Sequence, residues 1–140
     1  SGTIDGWGWE RFRVQHVEAV DPYGYSFQHS DGCSFVHSGD SGPCENLEHA
    51  IGQTQLAVVE MGIPQWVASD HHHKPDDIQE LAERHPDVTL LITHTFVDSP
   101  RSEFQPILTN TIPNHPENVH HPEDEDRWIF QNSAWSRAET

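Results

Sequence analysis

QWVASDHHHKPDDIQELAERHPDVTLLITHTFVD, residues 65–98, carries the strongest secondary-structure signals in the chain. Pro75 is suited to the first position of a helix, where its missing N–H costs nothing, and Asp76 and Asp77 stand where the helix dipole favours acids. Ile78, Leu81, Ala82 and His85 recur at three- and four-residue spacings and make one inner stripe, until Pro86 ends the helix. Residues 88–98 then alternate as a strand, with Val88, Leu90, Ile92, His94 and Phe96 on one side. Upstream, residues 65–70 read as a short strand that runs into His71-His72-His73. The spacing therefore predicts strand, helix, strand.

Towards the N-terminus, residues 11–20 alternate as a strand, with Phe12, Val14, His16, Glu18 and Val20 on one side. Residues 25–39 hold Asp31-Gly32 between two aromatic and β-branched runs, a hairpin signal because a type I′ turn needs φ > 0 at both central positions. That turn predicts Phe27 opposite Val36. Gly39-Asp40-Ser41-Gly42-Pro43 reads as a loop. Leu47, Ala50, Ile51, Ala57, Val58 and Met61 predict one helix over about 44–61, stopped by Gly62 and Pro64. Five prolines and no sustained period over 99–126 predict an extended arm, and Arg127-Trp128-Ile129-Phe130 a short docking segment. The fold expected is an α+β ferredoxin-like sandwich: a mostly antiparallel sheet, two helices on one face, a core domain over 1–98 and an extended C-terminal arm over 99–140.

The short strand, the proline-opened helix with Ile78-x-x-Leu81-Ala82-Glu83, and His85-Pro86-Asp87-Val88 before a long strand make residues 66–98 similar to the YubB-like ferredoxin-like domains of phage and plasmid proteins. That resemblance implies the same fold and a phage or mobile-element origin. It implies no activity and no site residues.

The chain has 140 residues, about one domain, with 23 acids against 7 bases and a formal charge of -16. Lys74 is the single lysine. A basic stripe for nucleic-acid phosphates is absent, so direct nucleic-acid binding is not expected, and neither is membrane insertion, since no run nears the ~20 apolar residues a span needs. Three readings of the charge stand together: a solvated surface, adaptation to high salt, or a polyanionic face that docks on a basic groove of a protein partner. Cys33 and Cys44 are too few for a disulfide framework, and no secretory leader is evident; a cytoplasmic setting is the expectation.

Twelve histidines are the compositional oddity, because histidine is the commonest metal ligand and the usual proton carrier near neutral pH. Cys33, His37, Cys44 and His49 invite a zinc reading, but four residues of strand separate the first two by about 13 Å, too far for one ion. His71 and His73 point to one side of the chain and Asp70 and His72 to the other; His94 is the best third ligand for the His71–His73 pair, with Asp70 and His16 as further members of the metal set. In a ferredoxin-like sheet the first and last strands are neighbours, which would bring His16 near His94. Glu60 with Asp70, His71, His73 and His94 would be the residues for proton transfer or hydrolysis, although no recognised catalytic motif joins them.

Five tryptophans offer the other signal. Trp7, Trp9, Trp128 and Trp135 lie outside the expected core elements, and aromatics on peripheral segments serve well as interface anchors. The acidic run Glu123, Asp124, Glu125 and Asp126 would form the rim. The leading expectation is a small acidic binding protein without catalytic activity or cofactor, which engages a protein partner or a second copy through these residues. The alternative is a metal-dependent enzyme, or a metal or small-ligand binder, that uses the His/Asp cluster with a divalent ion such as zinc.

Overall fold

In a computed structural model, which describes residues 1–95 and 112–139, a mixed sheet of seven strands organises the chain. In order these are β1 (Gly2–Ile4), β2 (Trp7–Arg13), β3 (Tyr23–His29), β4 (Ser34–His37), β5 (Leu56–Glu60), β6 (Thr89–Thr93) and β7 (Val119–His120). β1 to β4 pair antiparallel through hairpins, and β4 to β7 pair parallel. Parallel neighbours need a crossover. Helix α1 (Glu45–Ile51) joins β4 to β5, and α2 (Pro75–Arg84) joins β5 to β6. β8 (Trp128–Gln131) and β9 (Ala134–Arg137) form a separate hairpin.

The register shows where the core lies. Val36, Ala57, Leu90 and Val119 align across β4, β5, β6 and β7, and Val59 aligns with Ile92. This row packs with Leu47 and Ile51 of α1 and with Ile78, Leu81 and Ala82 of α2, nearly all of it fully buried. Asn118 fastens the far end of α2: its side-chain amide donates to the carbonyls of Ala82 (3.2 Å), His85 (3.0 Å) and Val88 (2.9 Å).

The ferredoxin-like sandwich expected from the sequence is corrected by this topology. Its first and last strands would be neighbours, whereas β1 and β2 stand at one margin of the sheet and β6 and β7 at the other. The error starts at residues 44–61. Gly52 ends α1, and Leu56–Glu60 is a strand. A parallel strand buried on both faces reads as an unbroken apolar run, so Ala57, Val58 and Met61 mimic the continuation of a helix. Residues 65–70 form turns, not a strand. The chain reverses at Asp31-Gly32, but only Gly32 of the two has a positive φ, so the turn is not the expected type I′, and Phe27 pairs with Phe35, one residue away from the expected partner. The expected strand over 88–98 is observed as Thr89–Thr93. Its last residues, 96–98, and residues 99–111 of the expected arm lie outside the described residues.

The peripheral tryptophans are set into this framework. Trp7 packs edge-on against His29 and Phe35, and Trp9 lies against Tyr25. Trp135 donates its indole N–H to the Ser34 carbonyl (3.0 Å) and meets Phe35 and Phe130 edge-on, which holds the β8–β9 hairpin against the main sheet. Trp128 packs against His120. In the acidic run, Asp126 accepts from the Glu123 N–H and from Arg137, both at 2.8 Å. Those bonds hold its carboxyl below the usual range. Among the described residues no helix is long and apolar enough to cross a membrane.

Candidate active site

Parallel strands send their carboxyl ends to one side of the sheet, where open α/β sheets form their crevices. Here that side collects three loops: residues 38–44 after β4, 61–74 after β5, and the residues that follow Thr93 of β6. Glu60, the last residue of β5, ties the first two together. It is only 1% exposed, and a buried carboxylate must find donors. Its Oε1 accepts from the backbone N–H of Ser41 (2.9 Å) and lies 2.5 Å from Nδ1 of His72. Its Oε2 accepts from the N–H of Gly62 (2.7 Å) and of His73 (3.3 Å). Burial pushes Glu60 up to about 7, against the N–H groups of Gly62, Ser41 and His73, which hold it down. Burial acts the other way on His72, whose pKa falls, with the nearby His16 adding to the fall. Burial thereby raises the pKa of the acid and lowers that of the base across a short hydrogen bond.

Beside this pair stand Asp40 and His94. Asp40 Oδ1 lies 3.6 Å from His94 Nε2, and both side chains are about half exposed. His94 has φ +55°, a left-handed conformation that costs a non-glycine residue on the order of 1–3 kcal/mol and marks functional positions more often than chance. Its ring stacks on that of His72, with 5.8 Å between centroids and 21° between planes. Gly62 makes this approach possible. A Cβ there would come within 2.8 Å of His72 Nδ1 and 3.1 Å of the His94 ring.

The expected metal set is divided by the structure. His94 faces Asp40, in the loop after β4. His16 donates from Nδ1 to the carbonyl of His71 (2.9 Å) and packs edge-on against both His71 and His72. Asp70 accepts from the Gln15 side chain (3.3 Å) and lies 3.5 Å from its neighbour His71. His73 turns inward, 2% exposed, and donates from Nδ1 to the Ser41 carbonyl at 2.6 Å. Burial lowers its pKa to about 4. Cys33, His37, Cys44 and His49 do not converge. Among the described residues no three His, Cys, Asp or Glu side chains are grouped to hold a metal ion. Asp40 and His72 were the residues missed. The signal that could have found them is an acid in a glycine-flanked loop just after a strand, once residues 56–60 are read as the next parallel strand.

A carboxylate oxygen beside an imidazole nitrogen is a donor pair that suits zinc and related divalent ions. Asp40 and His94 thus fit one side of a metal site; the remaining donors of a four-coordinate ion are not among the described residues.

No protein-family model matches the chain, and no curated protein matches it. Solved structures do. An isothiocyanate hydrolase from Delia radicum gut bacteria superposes with a TM-score of 0.66 at 15% identity, over 89% of this chain and 54% of that one. A possible metal-dependent hydrolase from Veillonella parvula gives 0.65 at 19% identity, over 87% and 53%. The metallo-beta-lactamase fold protein YhfI from Bacillus subtilis gives 0.56 at 17% identity, over 66% and 38%. The chain therefore spans about half the length, or less, of these structures. The likeness replaces the YubB-like resemblance and the phage origin that rested on it, because a mixed sheet in which β4 to β7 pair parallel in sequence order is not a ferredoxin-like arrangement. The leading expectation of a non-catalytic binder without a cofactor is corrected with it: one of these structures is an isothiocyanate hydrolase and another a possible metal-dependent hydrolase, and the metal-dependent alternative fits the neighbours better. The fold of this chain is that of metallo-beta-lactamase fold proteins.

Proposed function

We propose that this chain carries one side of the active site of a metal-dependent hydrolase. The observation that supports this most directly is the Asp40–His94 pair, 3.6 Å apart at the carboxyl ends of β4 and β6, with the Glu60–His72 pair beside it. Asp40 and His94 would be the ligands this chain gives to a divalent ion such as zinc, and the other donors come from protein outside the described residues. Such an ion would supply Lewis-acid polarisation of the scissile bond.

The chain's own residues account for the proton. Glu60 keeps its carboxyl at the edge of ionisation near neutral pH and shares a 2.5 Å hydrogen bond with His72 Nδ1. A general acid or base works best when its pKa lies near the working pH. With Nδ1–H donated to Glu60, Nε2 is the nitrogen of His72 left to accept a proton from attacking water, and later to return it to the leaving group. Glu60 stabilises the imidazolium that forms in between. Backbone donors from Ser41, Gly62 and His73 fix Glu60 in place, so the pair needs little rearrangement during the reaction.

The test is zinc titration followed by native mass spectrometry, on wild type, Asp40→Ala and His94→Ala. Both variants should retain the wild-type circular dichroism spectrum and lose at least tenfold in zinc affinity. Zinc-supported hydrolysis of p-nitrophenyl acetate and bis(p-nitrophenyl) phosphate should fall with them. Equal zinc affinity in all three proteins would overturn the assignment.

A further inference from the structure

Between β2 and β3 the chain runs past the candidate active site, and two consecutive residues there reach both of its loops. The Gln15 carbonyl accepts from the Gly42 N–H (2.8 Å), in the loop that carries Asp40, and its side-chain amide donates to Asp70 (3.3 Å). His16 donates from Nδ1 to the His71 carbonyl (2.9 Å). Because a carbonyl can only accept, this bond fixes the proton of His16 on Nδ1. The His16 ring then meets the His72 ring edge-on, 5.0 Å between centroids and 75° between planes. His94 stacks on His72 as well. The 38–44 and 61–74 loops are also in direct contact here: a Cβ on Gly42 would stand 1.7 Å from the Asp70 carbonyl oxygen.

Much of this strap is tied by backbone and by Gln15, and a small polar residue at position 16 would suffice to hold the loop. The imidazole adds something else: an aromatic ring set edge-on against His72 at 5.0 Å and, at 5.7 Å, against His71, and anchored by one bond. We infer that His16 is a positioning residue that orients the His72 imidazole, so that its Nδ1 meets Glu60 and its Nε2 is left for proton transfer. His16 acts through its contact with His72. This rests on the function proposed for the Glu60–His72 pair.

The experiment is nitrogen-15 NMR of the imidazoles at about pH 8, where two-bond correlations show which ring nitrogen of His72 carries the proton. Three variants separate the elements of the device. His16→Asn keeps a donor near the place of Nδ1. His16→Phe keeps the ring edge without the donor. His16→Ala removes both. Wild type should show a single His72 tautomer protonated at Nδ1, with a slowly exchanging proton. His16→Ala should lose that resonance, and His16→Asn and His16→Phe should each restore part of it. The Gly62 amide, bonded to Glu60, reports whether the site is still folded.

An unchanged His72 signature in His16→Ala, with the Gly62 amide in place, would overturn the inference. If His16→Ala disrupts the fold, His16→Asn and His16→Phe decide: wild-type His72 signals in both would overturn it, and loss in either would support it. Hydrolysis by the same proteins is measured separately. A His72 signature that shifts in a protein without hydrolytic activity would leave the positioning role standing and remove the function proposed for the pair.

Discussion

Acidification should weaken the fold through His73, and the cost can be worked from its position. Its ring is 2% exposed, with Nδ1 bound to the Ser41 carbonyl, and burial lowers its pKa from 6.5 to about 4. The folded protein keeps this ring neutral while the unfolded chain protonates it near 6.5. The stability it contributes is therefore complete above about pH 6.5 and is lost as the pH falls towards about 4. Between about pH 7.5 and 5 the loss amounts to roughly 2 kcal/mol. Glu60 opposes it. Its pKa rises from 4.5 to about 7 on burial, so its contribution is present below about 4.5 and fades as the pH rises through 7, by a similar ~2 kcal/mol over the same interval. The two slopes oppose each other, and substitution separates them. His73→Asn replaces the donor at Nδ1 with an amide that does not titrate. Urea unfolding at both pH values, for wild type and His73→Asn, isolates the histidine by difference. The variant should be relatively more stable at pH 5 than at 7.5 by roughly 2 kcal/mol. Parallel pH dependence in the two proteins would refute the reasoning.

Three further outcomes follow from contacts elsewhere. Gly42→Ala would put a Cβ 1.7 Å from the Asp70 carbonyl oxygen; thermal unfolding should show a loss on the order of 3 kcal/mol, at the upper end of what overpacking costs. Asn118→Ala strips three carbonyls at the end of α2 of their side-chain donor and should cost about 1–3 kcal/mol in chemical denaturation, whereas Asn118→Asp, which adds a charge facing those carbonyls, should cost more. Trp135→Phe keeps the ring but removes the bond to Ser34; it should cost about 1 kcal/mol and speed hydrogen exchange in β8 and β9 before β5 and β6.

The sequence disclosed α2 readily, because proline, acids and an apolar stripe all act locally and agree. It disclosed β6 for the same reason. What it concealed depends on neighbours distant along the chain. Leu56–Glu60 is a strand because β4 and β6 flank it, and no short-range pattern separates such a run from a buried helix. Misreading it joined α1 to β5, removed one crossover, and turned a mixed parallel sheet into an expected antiparallel one. The site suffered by the same route. His94 and Glu60 were visible as candidates, but Asp40 acquires meaning only when β4 and β6 are seen to end on the same side. His72 was hidden by the alternation rule, which assigns His71 and His73 to a shared side; the segment is not a strand, so alternation does not apply to it.

Glu60 also explains why the site and the fold cannot be separated cleanly. Four groups converge on one carboxyl: Ser41 from the Asp40 loop, Gly62 from the exit of β5, and His72 and His73 from the approach to α2. Burying that carboxyl is costly in itself and is offset by these hydrogen bonds, three of them from backbone. Glu60→Ala would leave three backbone N–H groups without their acceptor, at about 1–3 kcal/mol each, and would free the loops that hold Asp40 and His72. Glu60→Gln keeps the volume, but it must turn an amide NH₂ towards N–H groups that can only donate. A stable protein with the proton-transfer pair removed is therefore better sought at His72 than at Glu60. His72→Phe keeps the stacked ring beside His94 and leaves the three backbone bonds to Glu60 intact.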